Sequence, residues 1–248
     1  RNNGGTLNFT LPSAGSITLA NLNDASGILG AWATVGSGTA MTYATVSGGA
    51  IASYTGASAG GANLVNVTSA NTNYTFTGAQ TLGAAATANT LQFATDSAAR
   101  ILALGSNTLT LNGLLNTSGQ TLTISGTGTI PVGANTDLVI AGPNSVTISS
   151  AITGAGKGLT YSGTGTLTLN TTVSTFTGTT TVNSGTVTLG LASVLNSGSS
   201  IVVNGGTLGF STFNQAVAGL TINGGTITST TGTLTSTAAV VGNGGTIS

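Results

Sequence analysis

Residues 165–190 read Gly165-Thr166-Leu167-Thr168-Leu169-Asn170-Thr171-Thr172-Val173-Ser174-Thr175-Phe176-Thr177-Gly178-Thr179-Thr180-Thr181-Val182-Asn183-Ser184-Gly185-Thr186-Val187-Thr188-Leu189-Gly190. Two apolar–Thr–apolar triplets stand in this stretch, Leu167-Thr168-Leu169 and Val187-Thr188-Leu189, each preceded by Gly-Thr. Alternation of this kind is the period-two signature of a half-buried strand, with its apolar side chains inward and threonine outward. The same triplet recurs as Ile17-Thr18-Leu19, Tyr74-Thr75-Phe76, Leu109-Thr110-Leu111, Leu122-Thr123-Ile124, Val146-Thr147-Ile148 and Leu220-Thr221-Ile222. Gly, Asn and Ser clusters between the triplets supply turns. No run shows helical apolar spacing with caps that would survive so much Gly, Thr and Asn.

A longer period separates a solenoid from a sandwich. The intervals Leu102 to Leu122, Val146 to Leu167, Leu167 to Val187, Val187 to Leu208, Leu208 to Ile227 and Leu220 to Val240 are each about 20 residues, the period of a repeat architecture. A β-sandwich gives no reason for that second period, whereas in a β-helix each circuit must stack on the one before. The chain therefore predicts an all-β fold: a single parallel β-solenoid over residues 1–248, without terminal caps. About 20 residues per rung gives roughly 12 rungs and a rod on the order of 60 Å long, at ~4.8 Å per strand. Residues 20–95, richer in Ala and holding Trp32, Tyr43 and Tyr54, predict less regular rungs; residues 96–248 predict regular repeats. Asn204-Gly205-Gly206-Thr207-Leu208, Asn223-Gly224-Gly225-Thr226-Ile227 and Asn243-Gly244-Gly245-Thr246-Ile247 mark rung corners, and Asn3-Gly4-Gly5-Thr6-Leu7 carries the same motif at the other end.

Composition bounds the chemistry. Only Arg1, Arg100, Lys157, Asp24, Asp96 and Asp137 are charged, and Glu, His and Cys are absent. Gly, Thr, Ser and Asn together make up more than half of the chain, so the surface must be built from hydroxyls, amides and backbone. Without His, Cys or Glu there is no imidazole base, thiol nucleophile or thiolate metal site, and no cofactor is expected. Three scattered cations cannot neutralise a row of phosphates, which argues against nucleic acid. No apolar run is long enough for a membrane helix. Asp96 and Arg100 read as a corner ion pair, Asp24 and Asp137 as turn formers. The scarcity of charge has a physical reason: stacked Glu or Lys would repel along the ladder, whereas stacked Thr and Asn hydrogen-bond.

The 165–190 stretch resembles the autotransporter-associated β-strand repeat, whose pattern is an L-x-L strand, an aromatic T-G turn (here Phe176-Thr177-Gly178) and T-T-V-N-x-G-T-L-x-L (here Thr180–Leu189). Looser echoes cover 101–248. The resemblance implies a right-handed β-helical passenger region, exported and displayed at or released from the bacterial surface. Catalytic motifs of passenger enzymes are not present.

These readings converge on a non-enzymatic structural subunit of an extracellular bacterial fibre, whose partner is itself. An uncapped solenoid end exposes unpaired strand edges and an open apolar core, and end-to-end stacking is a heterologous contact that propagates. The expected head-to-tail interface comprises Asn3, Gly4, Gly5, Thr6, Leu7 and Phe9 at one end, with Val240, Val241, Asn243, Gly244, Gly245, Thr246 and Ile247 at the other. The alternative is a surface-displayed adhesin or passenger fragment that meets host or environmental surfaces through an aromatic patch around Trp32, Tyr43 and Tyr54. A further alternative is an ice binder using the T-x-T pairs Thr121/Thr123, Thr166/Thr168, Thr179/Thr181, Thr186/Thr188 and Thr226/Thr228. Their differing offsets within the repeat speak against a single flat face.

Overall fold

The computed structural model describes residues 2–20, 22–171 and 174–248; Arg1, Asn21 and the pair Thr172-Val173 lie outside the described residues. It is a parallel β-solenoid whose helical content is two short 3-10 turns, at Gly38–Ala40 and Ala62–Leu64. Two stacked sheets form the rod, here called sheet I (11 strands) and sheet II (nine strands). Sheet I runs from Ser58–Ala59 and Thr68–Phe76 through Ala86–Phe93, Gly113–Asn116, Asp137–Gly142, Gly158–Gly163, Thr180–Val182, Ser200–Val203 and Gly219–Ile222 to Val240–Gly242. Sheet II runs from Gln80–Thr81 and Arg100–Gly105 through Leu122–Gly126, Val146–Ile148, Thr166–Leu169, Thr186–Leu189, Thr207–Gly209 and Thr226–Thr228 to Thr246–Ile247. Short third-side strands pair at Thr129–Pro131 with Ala151–Thr153, and at Gln215–Val217 with Leu234–Ser236.

The register chain Tyr74, Leu91, Leu114, Ile140, Tyr161, Val182, Val203, Ile222, Gly242 counts the rungs. It makes eight steps between Tyr74 and Gly242, so the mean turn is about 21 residues, within the range of solenoid repeats. The solenoid is therefore shorter than the roughly 12 rungs expected, because the chain before Ser58 lies outside it; eight steps at ~4.8 Å give a rod of about 40 Å. Five of the six long spacings coincide with stacked pairs: Val146–Leu167, Leu167–Val187, Val187–Leu208, Leu208–Ile227 and Leu220–Val240. The sixth is displaced by two positions. Leu102 stacks on Ile124, not Leu122, and slipping by two keeps every side chain on its own face, which is why the alternation could not detect it.

Inside the rod, one apolar cluster runs from Leu64 to Ile227, including Leu102, Ile124, Ile148, Leu169 and Leu189 stacked in one file. Corners need glycine where the backbone turns left-handed against the previous rung. At Gly206 (φ +68°) and Gly225 (φ +72°), an added Cβ would also press on the carbonyl of the glycine one rung below. The Asn-Gly-Gly corners thus follow from two demands at once, a positive φ and contact between backbones.

The N-terminal copy of that motif is not a corner. Its positive φ falls on the first glycine, Gly4, whereas the corners place it on the second. Residues 7–53 instead form a small four-stranded sheet, Leu7–Phe9, Ala33–Val35, Thr42–Ser47 and Ala50–Ser53, with antiparallel pairing in its second half. It has its own core of Leu29, Ala33, Val35, Ala44, Val46 and Ile51. Nor is the rod uncapped at its N-terminal end: the Ala62–Leu64 turn seats Leu64, with Val67, in the apolar cluster. Asn63 and Gln80 tie that turn to the edge of sheet II through Asn63 N–H to Gln80 Oε1 (2.6 Å) and Thr81 N–H to Asn63 Oδ1 (3.2 Å).

The core holds imperfections, among them the buried, unpartnered hydroxyl of Thr180, in file with Leu159 and Ile201. Tyr161 points inward with its hydroxyl buried and without a hydrogen-bond partner. Removing an unpaired buried hydroxyl recovers its desolvation cost, so Tyr161→Phe is expected to leave the thermal midpoint unchanged or raise it. Leu167→Ala, which empties a fully buried position, should cost about 2–5 kcal/mol. Thermal melts of the first variant and denaturant melts of the second check the pair.

Candidate functional site

Two surfaces of the rod stand out, and each follows from which face of a strand points away from the core. The outer face of sheet I is covered. Leu115, Val139 and Ala141 project from it and are buried against Ile28, Ala31 and Tyr43 of the N-terminal layer, with Trp32, Met41 and Tyr54 packed alongside. Gly113 permits the approach, since a Cβ there would meet Ala31 Cβ at 2.6 Å.

Polar contacts fasten this layer on the two rungs before and the two rungs after that apolar centre. Asn73 Nδ2 donates to Ser26 O (3.1 Å) and Ser26 Oγ (2.9 Å), and Asn89 Nδ2 donates to Asp24 Oδ2 (3.1 Å) and Ser26 Oγ (2.7 Å). Further along, Thr6 Oγ1 and Ser162 Oγ are 2.6 Å apart, and Asn183 Nδ2 donates to Gly4 O (2.8 Å) and Thr6 Oγ1 (3.1 Å). Asn3, Gly4, Gly5, Thr6, Leu7 and Phe9 therefore lie on the flank of the rod, not in a terminal rung. The expected interface is corrected at that end, because hydrogen bonds to mid-rod residues such as Asn183 hold the segment there. Val240, Val241 and Thr246–Ile247 do form the outermost strand pair at the other end, with Val240 at 53%, Val241 at 47% and Ile247 at 63% exposure. The expected aromatic patch is also corrected: Tyr43 is buried beneath the layer and Trp32 and Tyr54 are half-buried.

The carboxylates are scattered, and each is engaged locally. Asp24 builds a turn, accepting from Ser26 N–H (2.8 Å) and Ser26 Oγ–H (2.6 Å). Asp137 is not the turn former expected; it opens a strand of sheet I, is buried under the N-terminal layer, and accepts from the Thr160 hydroxyl. Asp96 accepts from Arg100 Nε (2.9 Å) and Nη2 (2.7 Å) on one oxygen and from Gly78 N–H (2.6 Å) on the other. Among the described residues no three metal-ligating side chains gather.

The outer face of sheet II is open and regular. One row of outward residues stacks as Thr166, Thr186, Thr207, Thr226 and Thr246; a second stacks as Thr123, Thr147, Thr168, Thr188, Gly209 and Thr228. Of the five T-x-T pairs read from the sequence, Thr166/Thr168, Thr186/Thr188 and Thr226/Thr228 share this face, and Thr121/Thr123 leads into it. Thr179/Thr181 belongs to sheet I. The offsets that spoke against one flat face reflect unequal corner lengths, which the structure absorbs in the loops while holding the strands in register.

Sequence reasoning missed the covering layer, although a signal was present. Gly113-Leu114-Leu115 and Leu138-Val139-Ile140-Ala141 are continuous apolar runs, the mark of strands buried on both faces. No known protein-family model, curated protein or solved structure matches the chain.

Two outcomes follow. Trp32 is the single tryptophan and sits in the covering layer, so Val139→Asp should shift its emission to the red while the far-ultraviolet strand signal persists. The Arg100 hydrogen bonds hold the Asp96 carboxyl well below the usual carboxylate range, so their contribution is complete above that range and disappears only as pH falls through it into strong acid. Burial pushes the Tyr43 and Tyr161 phenols up, favouring their neutral forms in the folded state and lowering stability once pH passes the ordinary tyrosine value. Thermal melts should be level from about pH 5 to about pH 10, and Asp96→Asn should lower the plateau and flatten its acid limb.

Proposed function

We propose that the chain is a non-enzymatic structural β-solenoid displayed on the outside of a bacterial cell, a rod of the autotransporter-passenger kind. The observation that carries this reading is the stacking of the 165–190 stretch on itself: Thr166–Leu169 lies in register on Thr186–Leu189, so the two halves of the resemblance occupy consecutive rungs. Local capture of all three carboxylates supports a role without catalysis. An uncharged, hydroxyl-rich exterior over a continuous apolar core suits a spacer that must hold its shape without a binding charge pattern.

Head-to-tail polymerisation is the second reading, favoured by the outermost strand pair. A cavity of about 360 Å³ opens there among Phe210, Leu220, Ile227, Leu234, Val240 and Ile247. A further rung laid on that edge covers these residues, whether it comes from following sequence or from a second copy. The closed opposite end weighs against the second copy, since a short edge strand with a turn over the core is how sheets blunt stacking.

Sedimentation and negative-stain microscopy of the purified chain separate the two. Dispersed rods of 23.7 kDa are expected. Uniform filaments that Val240→Asp abolishes would instead establish the fibre. Antibody labelling of intact producing cells tests display; label confined to permeabilised cells would overturn it.

A further inference from the structure

We propose that the outer face of sheet II binds ice, docking its two threonine rows onto an ordered lattice of water. The first argument is geometric. In-register parallel stacking repeats each row at the strand spacing of ~4.8 Å along the rod, and the i, i+2 positions set the rows about 6.6 Å apart. A solenoid enforces both repeats at once, producing a two-dimensional grid whose spacings lie close to those of the oxygen rows on a face of hexagonal ice. One row is threonine at all five positions from Thr166 to Thr246; the other begins at Ile101 and, from Thr123 to Thr228, breaks only at Gly209.

The second argument is chemical. Among the described residues none of these ten threonine hydroxyls takes a hydrogen-bond partner, whereas several hydroxyls under the N-terminal layer do: Thr34 bonds Asn8, Thr90 bonds Asn73, and Thr160 bonds Asp137. The grid hydroxyls are thus left for water. Each is accompanied by a methyl group, and a stiff β-branched side chain between like neighbours has little rotamer freedom to lose on docking. No charged residue interrupts either row.

Strand propensity alone does not account for the grid. Over the same rungs, the matching outward row of sheet I stacks as Val139, Thr160, Thr181, Val202, Thr221 and Val241, valine alternating with threonine pairs and singles. Identical propensity on the other side of the same rod gives a mixed row. A protein partner is also a poor fit, because the face lacks the Trp, Tyr and Arg anchors that concentrate binding energy.

The test is ice-crystal shaping and recrystallisation in a cryomicroscope, together with uptake of fluorescently labelled protein into a growing ice hemisphere. The purified chain should facet crystals, slow their coarsening and enter the ice. Thr168→Tyr combined with Thr188→Tyr, at the centre of the grid, should abolish all three, while Thr221→Tyr on sheet I should leave them intact. Circular dichroism checks the fold of each variant; if the tyrosine pair fails to fold, Thr188→Lys replaces it and should likewise abolish shaping. Unshaped crystals with exclusion of the wild-type chain from ice would overturn the proposal. So would shaping that survives the grid variants, or retention on crystalline cellulose or chitin without shaping.

Discussion

Everything in this molecule depends on one constraint: each rung must lie in register on the rung before it. Parallel backbone pairing between successive turns fixes the position of every side chain relative to its counterpart one turn away. Like then stacks on like, and the residue choice at each position is judged along a file rather than in isolation. Leucine, isoleucine and valine satisfy the inner files because their contacts repeat without strain. Charged residues cannot occupy an outer file without facing their own kind at strand spacing. The near absence of charge, the short list of residue types and the glycine corners with carbonyls pressed against them are consequences of that rule.

Where the rule was expressed locally, the sequence could be read. The apolar–Thr–apolar triplets fixed strand type and inward face, and the spacings from Val146 onward fixed the true stacking partners. Where turn length varied, it could not: the Leu102 register slipped by two because period-two alternation is blind to even shifts. The N-terminal region defeated the reading for a different reason. Asn3-Gly4-Gly5-Thr6-Leu7 repeats the corner motif letter for letter, yet hydrogen bonds from Asn183 and the Thr6–Ser162 contact hold it against the side of the rod. Local sequence describes a turn equally well in both settings; only the apolar outward positions Leu115, Val139 and Ala141 hint that something must cover sheet I. The threonine grid was half visible. Its members were identified, but their alignment is a property of register, which emerges only when the corners have taken up the differences in length.

The two outer faces have consequently become different objects. Sheet I is a buried layer interface over most of its length, apolar at its centre and hydrogen-bonded on either side of it. Sheet II remains a bare lattice. Uniform repetition makes each face regular along the axis without making the two faces alike, and the N-terminal layer, packed on one side alone, widens the difference. It also occupies the side where apolar outward residues would otherwise be exposed.

A last consequence concerns the asparagines at the corners. Asn204 Nδ2 donates to Asn183 Oδ1 (2.8 Å), Asn223 to Asn204 (2.7 Å) and Asn243 to Asn223 (2.7 Å), and Asn183 itself donates to Gly4 and Thr6 of the N-terminal layer. Every amide in the file therefore points the same way. Hydrogen bonds in such a chain polarise one another, and their dipoles add instead of cancelling. The file gives an uncharged rod an electrical direction: donors face one end, an acceptor faces the other, and the N-terminal layer supplies the acceptor oxygens on which the file terminates.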